Sequence, residues 1–289
     1  MSEPIDPAIA AIRNRLVEEG MIEPTVQVGK RMKGTTDGTV YTLAIEEQPV
    51  HILKLDPSEA MAGVDLFYRT YPRISLLPAI RYLDPVKKLL VYEYLPGTTH
   101  FNRGRKIDWM SRLVQELLNH YKRCPDEQQW GRLTHPRESW RAFNERSLEG
   151  AAERLRGVIP DEDHERVRAW LEPVSTPSEA YWLHGDTGVH NFVFREGELV
   201  GIIDPSPMVG PVMYDFTYAF CSSPDDLNME TLLAAYELLQ IKVGTRTRLI
   251  QEVVFQLYTR LRICVDGHPH DLPEYLEAWA YWRRHLGEQ

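Results

Sequence analysis

The sequence predicts an α+β fold in two parts, a small antiparallel-sheet N-terminal lobe and a larger, mainly helical C-terminal lobe. Three observations predict it. Short apolar runs rich in β-branched and aromatic residues, at 25–28, 40–45, 50–55 and 89–94, occupy the first third of the chain. The turn-forming break Leu-Pro-Gly-Thr-Thr follows at 95–99. From Asp108 onward, apolar residues recur at helical spacing. The break sets the boundary, giving lobes of 1–95 and 96–289.

In chain order, Asp6 and Pro7 open a helix with an Ile9, Ile12, Leu16 stripe, and Gly20 closes it. Strands at 25–28, 40–45 and 50–55 follow, the last two joined by the polar turn 46–49. A helix at 58–71 precedes the strand 89–94. Behind an Asp108 cap, Trp109, Leu113, Val114, Leu117, Leu118 and Tyr121 form a stripe suited to a core. Further helical patterns cover 138–156, 163–171, 229–240, 246–264 and 273–285, and no internal repeat is present.

Composition narrows the function classes. With 43% hydrophobic residues, 289 residues suffice for one large or two modest domains. A net charge of -9 argues against a nucleic-acid binder, which needs a basic surface. Cys124, Cys221 and Cys264 are odd in number and dispersed, so neither a disulfide framework nor a zinc site is indicated. Charges interrupt the first sixteen residues, and no apolar run approaches the ~20 residues that span a bilayer. A cytoplasmic monomer or homodimer without membrane contact is expected.

The chemistry concentrates in Leu-His-Gly-Asp-Thr-Gly-Val-His-Asn, ending at Asn191, and in the strand-like 199–203 before Asp204. Apolar 180–183 and 192–194 flank the first segment as strands, with Glu196 and Gly197 turning the chain into the third. Asp186 on the loop could orient a hydroxyl, while the Asn191 amide and the Asp204 carboxylate could hold Mg²⁺, a hard ion that prefers oxygen. The competing reading is an Asn and an Asp making turn hydrogen bonds. The full set with its flanking strands favours phosphoryl transfer, in which the protein positions reactants and neutralises charge.

His184-Gly185-Asp186 and the run Ile-Ile-Asp-Pro-Ser-Pro-Met-Val-Gly-Pro-Val-Met-Tyr-Asp-Phe at 202–216 resemble the aminoglycoside phosphotransferase and choline kinase-like family, whose fold is protein-kinase-like. The Asp204-Pro205 form is similar to its streptomycin 6-kinase-like and fructosamine kinase-like branches. The resemblance implies a kinase that uses ATP (or GTP) and Mg²⁺ in an interlobe cleft to phosphorylate a small-molecule hydroxyl. An aminoglycoside, with a role in antibiotic resistance, is one such acceptor. It also implies Asp186 as the catalytic base, His184 as a brace for the loop, Asn191 and Asp204 as metal ligands, and Asp215 as a structural acceptor at a helix start. A kinase-like protein that binds without catalysing is the alternative, and a serine hydrolase lacks the GxSxG elbow.

The first lobe should then supply phosphate contacts. Lys54 lies near the end of its strand, where a kinase places its phosphate-pairing lysine. Gly34, Thr35 and Gly38 belong to a segment whose backbone could fold over phosphates, although Asp37-Gly38 also suits an ordinary hairpin turn. A Walker loop is excluded, because Thr35 stands where that motif needs Lys. Glu59 or Asp65 could pair with Lys54, or the pair could be missing. Glu93 and Tyr94 are the expected hinge residues for the adenine edge. Asp225, Asp226 and Glu230, with Trp279, Tyr281 and Trp282, could receive a cationic amino sugar, but caps and core packing are the stronger reading. His268, His270, Asp266 and Asp271 read as a polar loop, since ligands this close and split by Pro269 are expected not to converge.

Overall fold

The computed structural model describes residues 6–32, 38–86, 88–125, 129–177 and 179–287. The chain divides into two compact units, Met1–Pro96 and Gly97–Gln289. The first is built on an antiparallel sheet and the second is mainly helical.

In the first unit, helix α1 (Pro7–Glu18) is capped by the Asp6 carboxylate, which accepts from the Ala8 N–H at 2.9 Å. Strands β1 (Gln27–Met32), β2 (Thr39–Ile45), β3 (Gln48–Leu55), β4 (Ile80–Asp84) and β5 (Leu89–Glu93) form one sheet in the order β1-β2-β3-β5-β4. Helix α2 (Ser58–Thr70) separates β3 from β4. Glu46 and Glu47 both take positive φ, 48° and 69°, which gives the β2–β3 hairpin the twist of a two-residue primed turn. Leu16, Leu43, Leu53, Leu89 and Val91 pack α1 onto the sheet. Strand β4 was not legible as a strand: Arg81 and Asp84 interrupt its apolar pattern, and it forms because β5 pairs along it from Ile80 to Asp84.

The second unit begins with β6 (Thr98–Thr99), α3 (Lys106–Glu116), β7 (Gly131–Arg132), α4 (Trp140–Leu155), α5 (Asp161–Ala169) and α6 (Leu171–Val174). Strands β8 (Tyr181–Leu183), β9 (Phe192–Arg195), β10 (Glu198–Ile202) and β11 (Met208–Gly210) follow, then helices α7 (Val212–Phe220), α8 (Met229–Glu237), α9 (Arg246–Gly267) and α10 (Leu272–Trp282). Asp108, expected as the cap of α3, lies inside its first turn and pairs with Arg105 at 2.7 Å. All three cysteines are free and buried, and among the described residues no helix is long and apolar enough to cross a membrane.

Two small sheets position the loops that hold the candidate site residues. Strands β9 and β10 form a hairpin in which Phe192 faces Ile202 across the ladder, so the residues just outside it, Asn191 and Ile203, become neighbours. Strand β11 pairs with β8 and with β7, which sets the segment after Asp204 beside the segment after Leu183. Phe192 and Phe194 alternate onto one face of β9, where Trp109 of α3 meets them edge-on at 5.6 and 6.5 Å. Trp109 is 1% exposed. Trp109→Ala should therefore cost about 3–5 kcal/mol in denaturant unfolding. A loss under about 1 kcal/mol would mean that α3 does not support β9.

Candidate active site

The loop 184–191 is held from below by one carboxylate. Asp215, in the first turn of α7 and fully buried, accepts from the Gly185 N–H at 3.1 Å and from the Tyr121 hydroxyl at 2.6 Å. Tyr121 in turn accepts from the His184 N–H at 3.1 Å, and the Thr187 hydroxyl donates to the Asp215 carbonyl at 2.8 Å. Gly185 has φ +79°, and a Cβ there would overlap the Ser206 carbonyl oxygen. A side chain between His184 and Asp186 is therefore excluded by backbone, which accounts for glycine at this position.

His184 bridges the two loops. Its Nδ1 lies 3.3 Å from the Asp186 N–H, which can only donate, and its Nε2 lies 3.2 Å from the Ile203 carbonyl, which can only accept. The ring is thereby assigned as the neutral Nε2–H tautomer. Ile203 N–H donates to the Asn191 carbonyl at 2.9 Å and Ser206 N–H to the His184 carbonyl at 2.9 Å, so both loops are tied along their backbones.

These ties bring Asp186, Asn191 and Asp204 together. Asn191 Nδ2 donates to Asp186 Oδ2 at 2.8 Å and to the Asp186 carbonyl at 3.0 Å, with the Asp204 carbonyl at 3.5 Å. The amide is thus oriented with Oδ1 left over, and that atom has no protein partner among the described residues. Asp204 follows β10 with φ +54°, a region that a non-glycine residue enters only when its surroundings impose it. An amide oxygen and a carboxylate are the hard oxygen donors that Mg²⁺ takes, so the chemistry of Asn191 and Asp204 fits that ion.

Residues 30–250 match the family profile described as "Phosphotransferase enzyme family". The chain belongs to this family. Its fold is protein-kinase-like, as shown by solved structures of low sequence identity. A thermostable mutant of aminoglycoside phosphotransferase APH(4)-Ia, in ternary complex with AMP-PNP and hygromycin B, is 15% identical with a TM-score of 0.63, covering 96% of this chain and 99% of its own. A choline/ethanolamine kinase family protein from Mesorhizobium loti is 14% identical with a TM-score of 0.59, covering 96% and 95%. Choline kinase from Cryptosporidium parvum Iowa II is 11% identical with a TM-score of 0.60, covering 97% and 96%. No curated protein matches the chain.

In this phosphotransferase-family chain, the electrostatics of the loops follow from burial and from near neighbours. Burial pushes the Asp186 carboxyl up, but the hydrogen bond and charge of His190, with Arg132 and the nearby Tyr218, hold it well below the usual range. His190 Nε2 lies 3.2 Å from Asp186 Oδ2. Burial lowers His184 to about 4, so it is neutral at pH 7, while burial raises Asp215 to about 6 against the bonds from Tyr121 and Gly185. His190 and Arg132 were not singled out in the sequence. His190 could have been, from its place four residues after Asp186; Arg132 sits on a two-residue strand far upstream and gives no such signal.

In the first unit, Lys54 Nζ is 2.9 Å from Asp56 Oδ2, and both side chains are nearly buried, 12% and 13% exposed. Asp56 lies two residues past Lys54, the spacing that keeps side chains on one face of a strand. The expected candidates are placed otherwise: Glu59 is exposed and Asp65 pairs with Arg69 at 2.9 Å. A Cβ on Gly38 would overlap the Asp56 carboxylate, so the backbone passes close over this pair. Gly34 and Thr35 lie outside the described residues. The N–H groups of Glu93 and Tyr94 are committed to the Ala79 and Val50 carbonyls at 2.9 and 3.0 Å, and the first backbone N–H beyond them is that of Leu95.

Of the acidic and aromatic residues near the C-terminus, Asp226 and Glu230 are exposed, and the others have partners within the second unit. Asp225 pairs with Arg103 at 2.5 Å, and Trp279 and Trp282 are core residues whose indoles donate to Asp163 and to the Leu227 carbonyl. One expectation is corrected: His268, His270 and Asp271 do converge, with ligand atoms within 4.8 Å. The turn closed by Asp271 N–H on the His268 carbonyl, at 3.0 Å, folds the chain around Pro269 and brings them together. Asp266 pairs with Arg154 and Arg262.

The opposed shifts of His184 and Asp215 give a pH prediction. His184, lowered, contributes stability that is complete above its ordinary pKa of 6.5 and lost as pH falls through about 4. Asp215, raised, contributes stability that is complete below 3.8 and lost as pH rises through about 6. Between those limits the two offset each other. Asp215→Asn should leave the His184 dependence exposed, so acidification from pH 6.5 to 4 should destabilise the variant more steeply than the wild type, by up to about 1.4 kcal/mol per pH unit. Parallel stability curves would show that Asp215 does not titrate in this window.

Proposed function

We propose that this protein is a kinase of small-molecule alcohols that transfers the γ-phosphoryl group of ATP. The observation that carries the reading is the Asn191 amide, whose Nδ2 holds the Asp186 carboxylate and reaches the Asp204 carbonyl while its own oxygen has no protein partner among the described residues.

In this reading Asp186 accepts a hydrogen bond from the acceptor hydroxyl and aims its oxygen at the γ-phosphorus. The new O–P bond forms as the bond to the bridging oxygen breaks, ADP leaves, and the hydroxyl proton passes to Asp186. A carboxyl held well below its usual range is ionised throughout the neutral range but is a weak base. Its contribution is therefore orientation, with the proton accepted late, which suits a loose transition state. Asn191 Oδ1 and the Asp204 carboxylate would hold Mg²⁺, which when bound neutralises charge on phosphate oxygens. His184, neutral and bonded at both nitrogens, keeps the two loops in register. Lys54 is the proposed phosphate contact of the first unit, with Asp56 fixing its position. Leu95 N–H, beyond the committed N–H groups of Glu93 and Tyr94, is the proposed donor to the adenine edge.

Two substitutions test these roles. Asp186→Ala should lower kcat by at least ~10²-fold, the usual size of an acid-base contribution, while nucleotide affinity survives. Wild-type turnover in that variant contradicts the mechanism. Asp204→Ala should remove the Mg²⁺ dependence of nucleotide binding measured by calorimetry, and an unchanged dependence would remove Asp204 from the metal site.

A further inference from the structure

The acceptor class is carried by the charges around a cavity next to Asp186, and this step rests on the kinase reading above. The cavity lies within the second unit and measures about 240 Å³. That is below the ~300–1,000 Å³ of pockets for drug-sized ligands, so the cavity suits a small compound. One wall is aromatic: Trp140 and Phe143 stack at 4.7 Å, and Tyr214 meets both edge-on at 5.6 and 5.7 Å. Tyr218 lines the cavity and also stands near the Asp186 carboxylate, so one side chain borders both.

The charged groups of the lining are unequal. Glu252 is paired with Arg248 at 2.7 Å, and Arg262 with Asp266 at 3.4 Å. Arg132 has no carboxylate partner at ion-pair distance among the described residues. Its Nη1 donates to the Ser206 hydroxyl at 2.5 Å and carbonyl at 3.3 Å, whereas Nε and Nη2 make no hydrogen bond and are not sealed from solvent. Those two nitrogens form the side of the guanidinium whose parallel N–H groups match a carboxylate. A guanidinium with an open fork, beside an aromatic wall and within electrostatic reach of Asp186, is a receptor for an acid.

We infer that the phosphate acceptor is a small alcohol that carries a carboxylate. Arg132 holds the carboxylate through Nε and Nη2, the apolar part lies against Trp140, Phe143 and Tyr214, and the hydroxyl turns to Asp186. A polycationic amino sugar would meet the charge of Arg132 and find no uncommitted carboxylate in the lining.

Calorimetry without nucleotide tests this directly, using 4-(hydroxymethyl)benzoate and glycerate against their primary amides, with hygromycin B as the cationic comparison. At least one acid should bind the wild type ~10-fold or more tightly than its amide, a difference of about 1.4 kcal/mol. Arg132→Gln should erase that preference and Arg132→Lys should retain part of it. The acid-against-amide comparison needs no variant, so it stands even if Arg132→Gln fails to fold. Equal binding of acids and amides, or tighter binding of hygromycin B, overturns the inference. Phosphorylation is followed separately by ³¹P NMR. Arg132-dependent acid binding with no transfer to any alcohol would contradict the kinase reading and leave the carboxylate site standing. Transfer to neutral or cationic alcohols without preference for acids would do the reverse.

Discussion

Asp215 is a carboxylate with no exposed surface, and it is kept there by the Tyr121 hydroxyl and the Gly185 N–H, with its place in the first turn of α7 adding the favourable end of the helix dipole. Burying a charge without such donors costs several kcal/mol, so each donor is under strong constraint to stay. The same donors belong to α3's downstream segment and to the loop before Asp186. Satisfying one buried acid therefore anchors the loop 184–191 both to α7 and to the segment after α3. Gly185 completes the anchor, since its left-handed backbone turns its N–H onto Asp215 while the chain passes against Ser206.

From that anchor, the positions of the polar groups follow from strand pairing. The β9–β10 hairpin sets Asn191 beside Ile203, and the β8–β11 pairing sets His184 beside Ser206. Asp186 is then surrounded by donors, His190 and Asn191 among them, which favour its ionised form over the opposing effect of burial. Asp204 stands at the hairpin's end with a left-handed backbone that the two loops impose together. Strain of this kind, of order 1–3 kcal/mol, is the sort that functional loops retain.

Much of this was legible in the sequence because the signals are local. His184, Asp186 and Asn191 share one loop, and the Glu196-Gly197 turn with its alternating apolar neighbours announces the hairpin that brings Asp204 back. Helices α3, α4, α5, α8, α9 and α10 were legible from their apolar period, within the usual uncertainty of their ends, whereas α7 was signalled only by the family resemblance at Asp215 and α6 not at all. What was not legible depends on tertiary pairing. Strand β4 exists through β5, Arg132 reaches the site through a two-residue strand, and Tyr121 looks in sequence like one more core residue of a helical stripe although its hydroxyl bonds Asp215. The acidic partner beside Lys54 is a case where a strand rule applies: Asp56 shares its face by the two-residue period, whereas Glu59 and Asp65 sit on α2 and Asp65 pairs with Arg69. Asp225, Asp226 and Glu230 allowed a cationic acceptor in the sequence, but they do not line the cavity, and Glu252, which does, is paired with Arg248.

The claim that these loops transfer phosphate to an alcohol is tested most directly by ³¹P NMR of the wild-type protein with Mg-ATP and a panel of acidic, neutral and cationic alcohols. The account predicts a new phosphomonoester resonance that grows as ADP accumulates and that requires both the alcohol and Mg²⁺. Tight binding of nucleotide with no ester formed from any alcohol in the panel would contradict it, and would identify the chain as a kinase fold that binds without catalysing.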